Sequence, residues 1–175
     1  MSTVLWKPDD NDVSRSQIAL FMQRVNAQQR LSLNSYEQLH QWSIKHPAAF
    51  WKAVSDDTDV LYHTPAQHII QTGKHMLDTK WFSAATLNYA ENCLRQPHDH
   101  IAIIETDESG HARHITYAEL TAEVNRVAHH LRFLGVTPQD RVAAILSNKA
   151  STIIAMLATT SIGATWSSCS PEFGY

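Results

Sequence analysis

Between positions 141 and 168, two short apolar runs flank one longer apolar stretch that stops at Gly163. The runs are 141–146 (RVAAIL) and 164–168 (ATWSS). Ile153, Ile154, Met156 and Leu157 fill the stretch between them, and Asn148 stands where a helix cap is needed. Strand, helix and strand joined by short links make a parallel pair with a right-handed crossover. That unit commits the second half of the chain to an α/β sheet. In open α/β sheets the carboxyl ends of the strands are where ligands bind. The second strand delivers Ser167, Ser168 and then Ser170 to that end. The intervening helix is apolar on several sides and expects cover on both faces.

Upstream, 101–104 (IAII) reads as a further strand, 107–110 as a hairpin turn and 112–115 as the return strand. Thr116-Tyr-Ala-Glu119 is a capping box that opens a helix. Leu120, Val124, Val127, Leu131 and Leu134 mark its apolar stripe, and Gly135 stands at the position just past its end. The polar 96–100 segment (QPHDH) is the best domain boundary, giving regions 1–97 and 98–175. Before it the pattern is helical. Residues 1–12 read as a loose lead-in, and Ile18, Phe21, Met22 and Val25 predict a helix over about 14–28. Asn34 or Ser35 caps a second helix bearing Leu39 and Trp42, and Pro47 opens a third with Phe50 and Trp51. Trp42, Phe50 and Trp51 are expected to form a small aromatic core, with 55–66 as loop and 88–94 as one more short helix. The fold class is therefore α/β: an amino-terminal helical cap, then an incomplete parallel or mixed sheet with flanking helices.

Composition excludes several functions. A net charge of −3 with no basic patch argues against nucleic acid. The run 153–162 is broken by Thr159, Thr160 and Ser161, so no segment reads as a membrane span. The first twelve residues hold no apolar signal region, and Cys93 and Cys169 form no CxxC pair. Two reduced thiols in a cytoplasmic protein is the favoured reading.

Few residues carry chemistry. Wrapping ATP phosphates with backbone N–H groups needs clustered glycines among serines or threonines. The five glycines stand at 73, 110, 135, 163 and 174, no two of them close. No catalytic residue is assigned. Ser167, Ser168 and Ser170 are substrate-channel candidates, weighed against a plain role in satisfying backbone groups at a strand end. Trp166 reads as core. Eleven histidines include His98 with His100, His111 with His114, and the adjacent His129 and His130. Helical neighbours diverge by about 100°, and no carboxylate or thiol set accompanies the pairs, so solvated histidine is favoured and no metal ligand is assigned. Cys169 lacks a glycine-elbow frame for a nucleophile.

With these elements placed, the chain resembles the amino-terminal part of the acetoacetyl-CoA synthetase family, within the acyl-adenylate-forming (AMP-binding) superfamily and close to acetyl-CoA synthetases. The resemblance rests on Ser35-Tyr-Glu-Gln-Leu-His-Gln-Trp42, His46-Pro47, Phe50-Trp51, Trp81-Phe82 and Leu87-Asn88-Tyr89-Ala90-Glu91-Asn92. It continues through Thr116-Tyr117 with Leu120, Gly135-Val136, Asp140-Arg141-Val142-Ala143 and the stretch MLATTSIGATWSSCSPEFG at 156–174. The resemblance implies an acid–thiol ligase of lipid metabolism that activates acetoacetate with ATP and passes the acyl group to coenzyme A. It implies that 1–97 is the helical cap, that 98–175 begins the AMP-binding domain, and that ATP, Mg and coenzyme A serve the full-length family. The family's phosphate loop, Mg-binding glutamate and catalytic lysine are expected beyond residue 175, so this fragment is expected to bind no cofactor and to be inactive alone. One departure stands out: the family has Pro-Gly-Ala after Trp-Phe, and here Ser83-Ala84-Ala85 follows Trp81-Phe82.

Two functions compete. One is an amino-terminal fragment of an acetoacetate–CoA ligase. The other is a binding or assembly module that pairs with a full-length ligase or with the remainder of a split one.

Overall fold

The computed structural model describes residues 4–173, which divide into two compact units. The first runs to Val60 and takes in Pro65–Ala85; the second comprises Leu61–Thr64 and the chain from Thr86 onward.

In the first unit residues 4–9 of the expected lead-in hold no regular element, but a helix starts before its expected end at residue 12. Asp9 and Asp12 form a capping box, which starts helix α1 (Asp10–Arg15). The expected single helix over 14–28 is two helices, because Ser16 turns extended (φ −65°, ψ 146°) and caps α2 (Gln17–Gln29) through its hydroxyl. Ser35 caps α3 (Tyr36–Lys45), and Pro47 opens α4 (Pro47–Asp57). This last helix runs into the span expected as loop, and the Thr58 hydroxyl bonds the Val54 carbonyl to close its end (2.8 Å). Val25, Leu39, Trp42 and Ala53 form the buried cluster, with Phe21 and Phe50 packed on it. Trp51 departs in part from the expected aromatic core. Its ring meets Phe50, which in turn meets Trp42, but it is 43% exposed and lies also against Trp81.

An antiparallel hairpin, β1 (His68–Gln71) and β2 (Lys80–Ser83), completes this unit. Sequence pattern does not announce it, since each strand is four residues long. Its loop carries a 3₁₀ turn at Met76–Asp78. Gly73 is required there, for a Cβ would lie 2.2 Å from that of Asp78.

In the second unit Asn88 caps α5 (Tyr89–Leu94). Strands β3 (Ile101–Thr106) and β4 (Ala112–Thr116) pair antiparallel. The Thr116–Glu119 capping box then starts α6 (Tyr117–Phe133). Leu120, Val124 and Ala128 of α6 are buried. Leu134, expected on the same stripe, is exposed because the helix has ended. Strand β5 (Arg141–Ile145), helix α7 (Ala150–Ser161) and strand β6 (Thr165–Cys169) are the expected parallel unit. Asn148 does not cap α7. Lys149 takes the cap position without a side-chain bond, while the Thr152 hydroxyl bonds the Ser147 carbonyl (2.7 Å). Helices α6 and α7 share a core with Ala90, Ile115 and Ala164. Among the described residues the hairpin β3–β4 and the pair β5–β6 are separate two-stranded ladders. Among the described residues no helix is long and apolar enough to cross a membrane.

Candidate functional site

The carboxyl end of the β5–β6 pair is where this topology would place a ligand. Register sets Ala143 beside Ser167, Ala144 beside Ser168 and Ile145 beside Cys169. These six residues line one open depression. Ala143, Ile145, Ser167 and Ser168 are exposed, whereas Ala144 and Cys169 are half-buried. The Leu146 N–H donates to the Cys169 carbonyl (3.2 Å), which carries the pairing past the last strand residue.

Of the three serines singled out from sequence, Ser167 and Ser168 line the depression, and Ser170 starts the turn beyond it. The Glu172 N–H donates to the Ser170 hydroxyl (3.3 Å) and the Phe173 N–H to its carbonyl (3.2 Å). The Trp166 indole N–H donates to the Ser168 hydroxyl (3.2 Å). Trp166 is half-buried. Strand alternation carries that signal, because residues two apart point to the same side. With the Ser168 oxygen already accepting one bond, its own proton is available to a neighbour. Hydroxyls, a thiol and methyl groups can orient a ligand. They supply no general acid or base.

Of the histidines paired in sequence, His111 and His130 have ring contacts, while His98 and His100 take part through their main chain. The His98 and His100 carbonyls accept the Ala118 and Tyr117 N–H groups at the start of α6 (3.0 and 2.9 Å). The His111 ring meets the Ser109 hydroxyl (2.7 Å), and His130 stacks on Phe133. Among the described residues no three His, Cys, Asp or Glu side chains are grouped to hold a metal ion.

Comparison with known proteins supplies what these side chains do not. Residues 89–174 match the family described as AMP-binding enzyme, and residues 36–93 match the acetyl-coenzyme A synthetase N-terminus. The chain is 40% identical over 170 residues to an acetoacetyl-coenzyme A synthetase of Rhizobium meliloti, covering 97% of this chain and 26% of that one. It also superposes on the acetoacetyl-CoA synthetase of Streptomyces lividans with a TM-score of 0.89 and 37% identity, over 99% of this chain and 27% of that one. The chain is a homologue of the amino-terminal part of the acetoacetyl-CoA synthetases. It spans about a quarter of the length of the curated relatives it matches. A malonamoyl-CoA synthetase of Penicillium aethiopicum is 34% identical over 98% of the chain, so synthetases for different acids share this segment.

Against the nucleotide chemistry of AMP-binding enzymes, the glycines are the deciding test. Gly135 and Gly163 take φ of 88° and 81° just past α6 and α7. Gly110 turns the β3–β4 hairpin and Gly73 the β1–β2 loop. Gly174 lies outside the described residues. Each of the four described glycines serves a separate turn, and together they do not form a phosphate-wrapping loop.

Proposed function

We propose that this chain serves as the amino-terminal segment of an acetoacetate–CoA ligase. Such an enzyme forms an acyl-adenylate from acetoacetate and ATP, then transfers the acyl group to coenzyme A. The observation that carries the reading is the match, over 97% of this chain in sequence and 99% in fold, to about a quarter of the length of the acetoacetyl-CoA synthetases of two bacteria. ATP, Mg and coenzyme A are then held by segments outside these residues, in keeping with the dispersed glycines. The residues described here bind no cofactor and catalyse no step alone. Ser167, Ser168 and Ser170 line the channel through which substrate or the pantetheine arm passes. The open outer side of β5–β6, where Ile145 is 70% exposed, is the face the remainder of the ligase covers. The two unpaired cysteines support a cytoplasmic setting, and the reaction would belong to lipid metabolism.

A graft tests this reading. This chain replaces the matched segment of the Streptomyces lividans relative, and acetoacetate-dependent acyl-CoA formation is measured. The expected result is activity within about tenfold of the parent, the cost of a disturbance of about 1.4 kcal/mol at the transition state. A graft that melts like the parent yet forms no acetoacetyl-CoA would overturn it.

A further inference from the structure

We propose that Trp51, Trp81 and Phe82 form a binding site for a weakly hydrated organic cation, with a quaternary ammonium as the ligand class. The site is independent of the ligase reading. Helix α4 supplies Trp51, and strand β2 supplies Trp81 and Phe82. The two indoles stand at 82° with centroids 5.9 Å apart, so they form two walls of a corner. Phe50 backs Trp51 edge-on (5.3 Å, 76°), and Trp81 is held in the ladder opposite Ile70. Among the described residues, these three aromatics line an open depression of about 250 Å³. Trp51 and Trp81 keep 43% and 49% of their surface exposed, so the corner is open to solvent.

A second observation points the same way. Phe82 has φ of 43°, a left-handed conformation that is an outlier for a bulky residue. Strain of this kind persists where the surroundings over-determine it, and ligand clamps are among the places it collects.

The ligand class follows from the lining. Aromatic faces carry negative charge density and attract a cation within about 6 Å of the ring centroid. No polar atom in the corner can replace water stripped from the ligand. A lysine-type ammonium, which holds its water strongly, is disfavoured, and an alkylated ammonium is favoured. Two lysines adjoin the corner in sequence: Lys52 is engaged with Asp56 at 2.6–2.7 Å, and Lys80, next to Trp81, stands opposite Gln71 in the ladder.

The chain has five tryptophans, so indole N–H signals in a proton–nitrogen correlation spectrum resolve the site directly. Choline chloride is titrated into the 175-residue protein at fixed ionic strength, beside 3,3-dimethylbutan-1-ol, its neutral isostere. Saturable shifts of Trp51 and Trp81, with choline at least about tenfold tighter than the alcohol, are expected. Equal binding of the two probes would reduce the corner to an apolar patch and overturn the proposal. Shifts confined to Trp6, Trp42 or Trp166, or no saturation, would do the same. Trp81→Phe is expected to keep the preference and Trp81→Ala to lose it. The wild-type comparison decides the matter even where Trp81→Ala fails to fold.

Discussion

Ala84 has φ of 64°, two residues after Phe82 in the same turn, which the Ala85 N–H closes onto the Phe82 carbonyl (3.0 Å). A side chain in the left-handed region costs about 1–2 kcal/mol, and glycine escapes that cost while losing about 0.5–1 kcal/mol of chain entropy. The resembling family carries glycine at this position. Ala84→Gly is therefore expected to raise stability by up to about 1 kcal/mol, read from the urea midpoint at constant slope. A lower midpoint would show that the turn is not strained as described. Thr159 presents the opposite problem. It is fully buried in α7, and its hydroxyl oxygen has no hydrogen-bond partner among the described residues. A buried unsatisfied polar group costs about 1–3 kcal/mol. Thr159→Val keeps the shape and removes the group, so a gain of about 1 kcal/mol is expected in the same denaturation assay. A loss would mean that the hydroxyl has found a partner.

At the scale of elements, the caps carry most of what the sequence made legible. Thr116–Glu119, Ser35, Pro47 and Asn88 each predict a helix start that the structure places there. The βαβ unit was legible for a different reason: its strands are short apolar runs on either side of a helix that Gly163 ends, although neither strand holds a buried residue. The β1–β2 hairpin was not, because four-residue strands leave too little pattern to separate from loop. The split at Ser16 was missed because apolar spacing continues through a residue that can cap as well as extend a helix. Ser167 and Ser168 were legible as residues near a strand end, while the Trp51–Trp81 corner joins residues thirty apart.

Asn88 tests the caps most sharply. Its side-chain oxygen accepts the Glu91 N–H (3.1 Å), and its amide donates to the Thr160 and Ser161 carbonyls (3.2 and 3.1 Å). Asn88→Ala is expected to cost about 2–3 kcal/mol. Asn88→Asp keeps the cap and loses the donors, so it should fall between; an Asp variant as weak as Ala would locate all the stabilisation at the end of α7.

Acid tests the same devices. The Thr116 backbone N–H and hydroxyl hold Glu119 below its usual pKa, and those of Thr137 do the same for Asp140. Asp107 is lowered by the Ser109 hydroxyl, then by the His111 N–H. A carboxyl with a lower pKa in the folded state than in the unfolded state stabilises the fold above the unfolded value, about 4. That stability is lost as pH falls through the lower folded value. Glu119→Gln keeps an acceptor but does not titrate, so its urea midpoint should fall less than that of the parent between pH 5 and about 3. An equal fall would contradict the cap's role.

At the scale of the molecule, the chain holds two small cores, a parallel strand pair and an aromatic corner. It also matches about a quarter of the length of acetoacetyl-CoA synthetases. Its described glycines each serve a separate turn, and the end of β6 presents hydroxyls without an acid or base. On the function proposed above, these residues are the scaffold of a ligase and the nucleotide chemistry lies in other segments. Acetoacetate-dependent exchange of radiolabelled pyrophosphate into ATP, run on the purified 175 residues with Mg, tests that assignment most directly. If the assignment holds, no exchange appears above the level seen without acetoacetate. Exchange that rises with acetoacetate and saturates would contradict it.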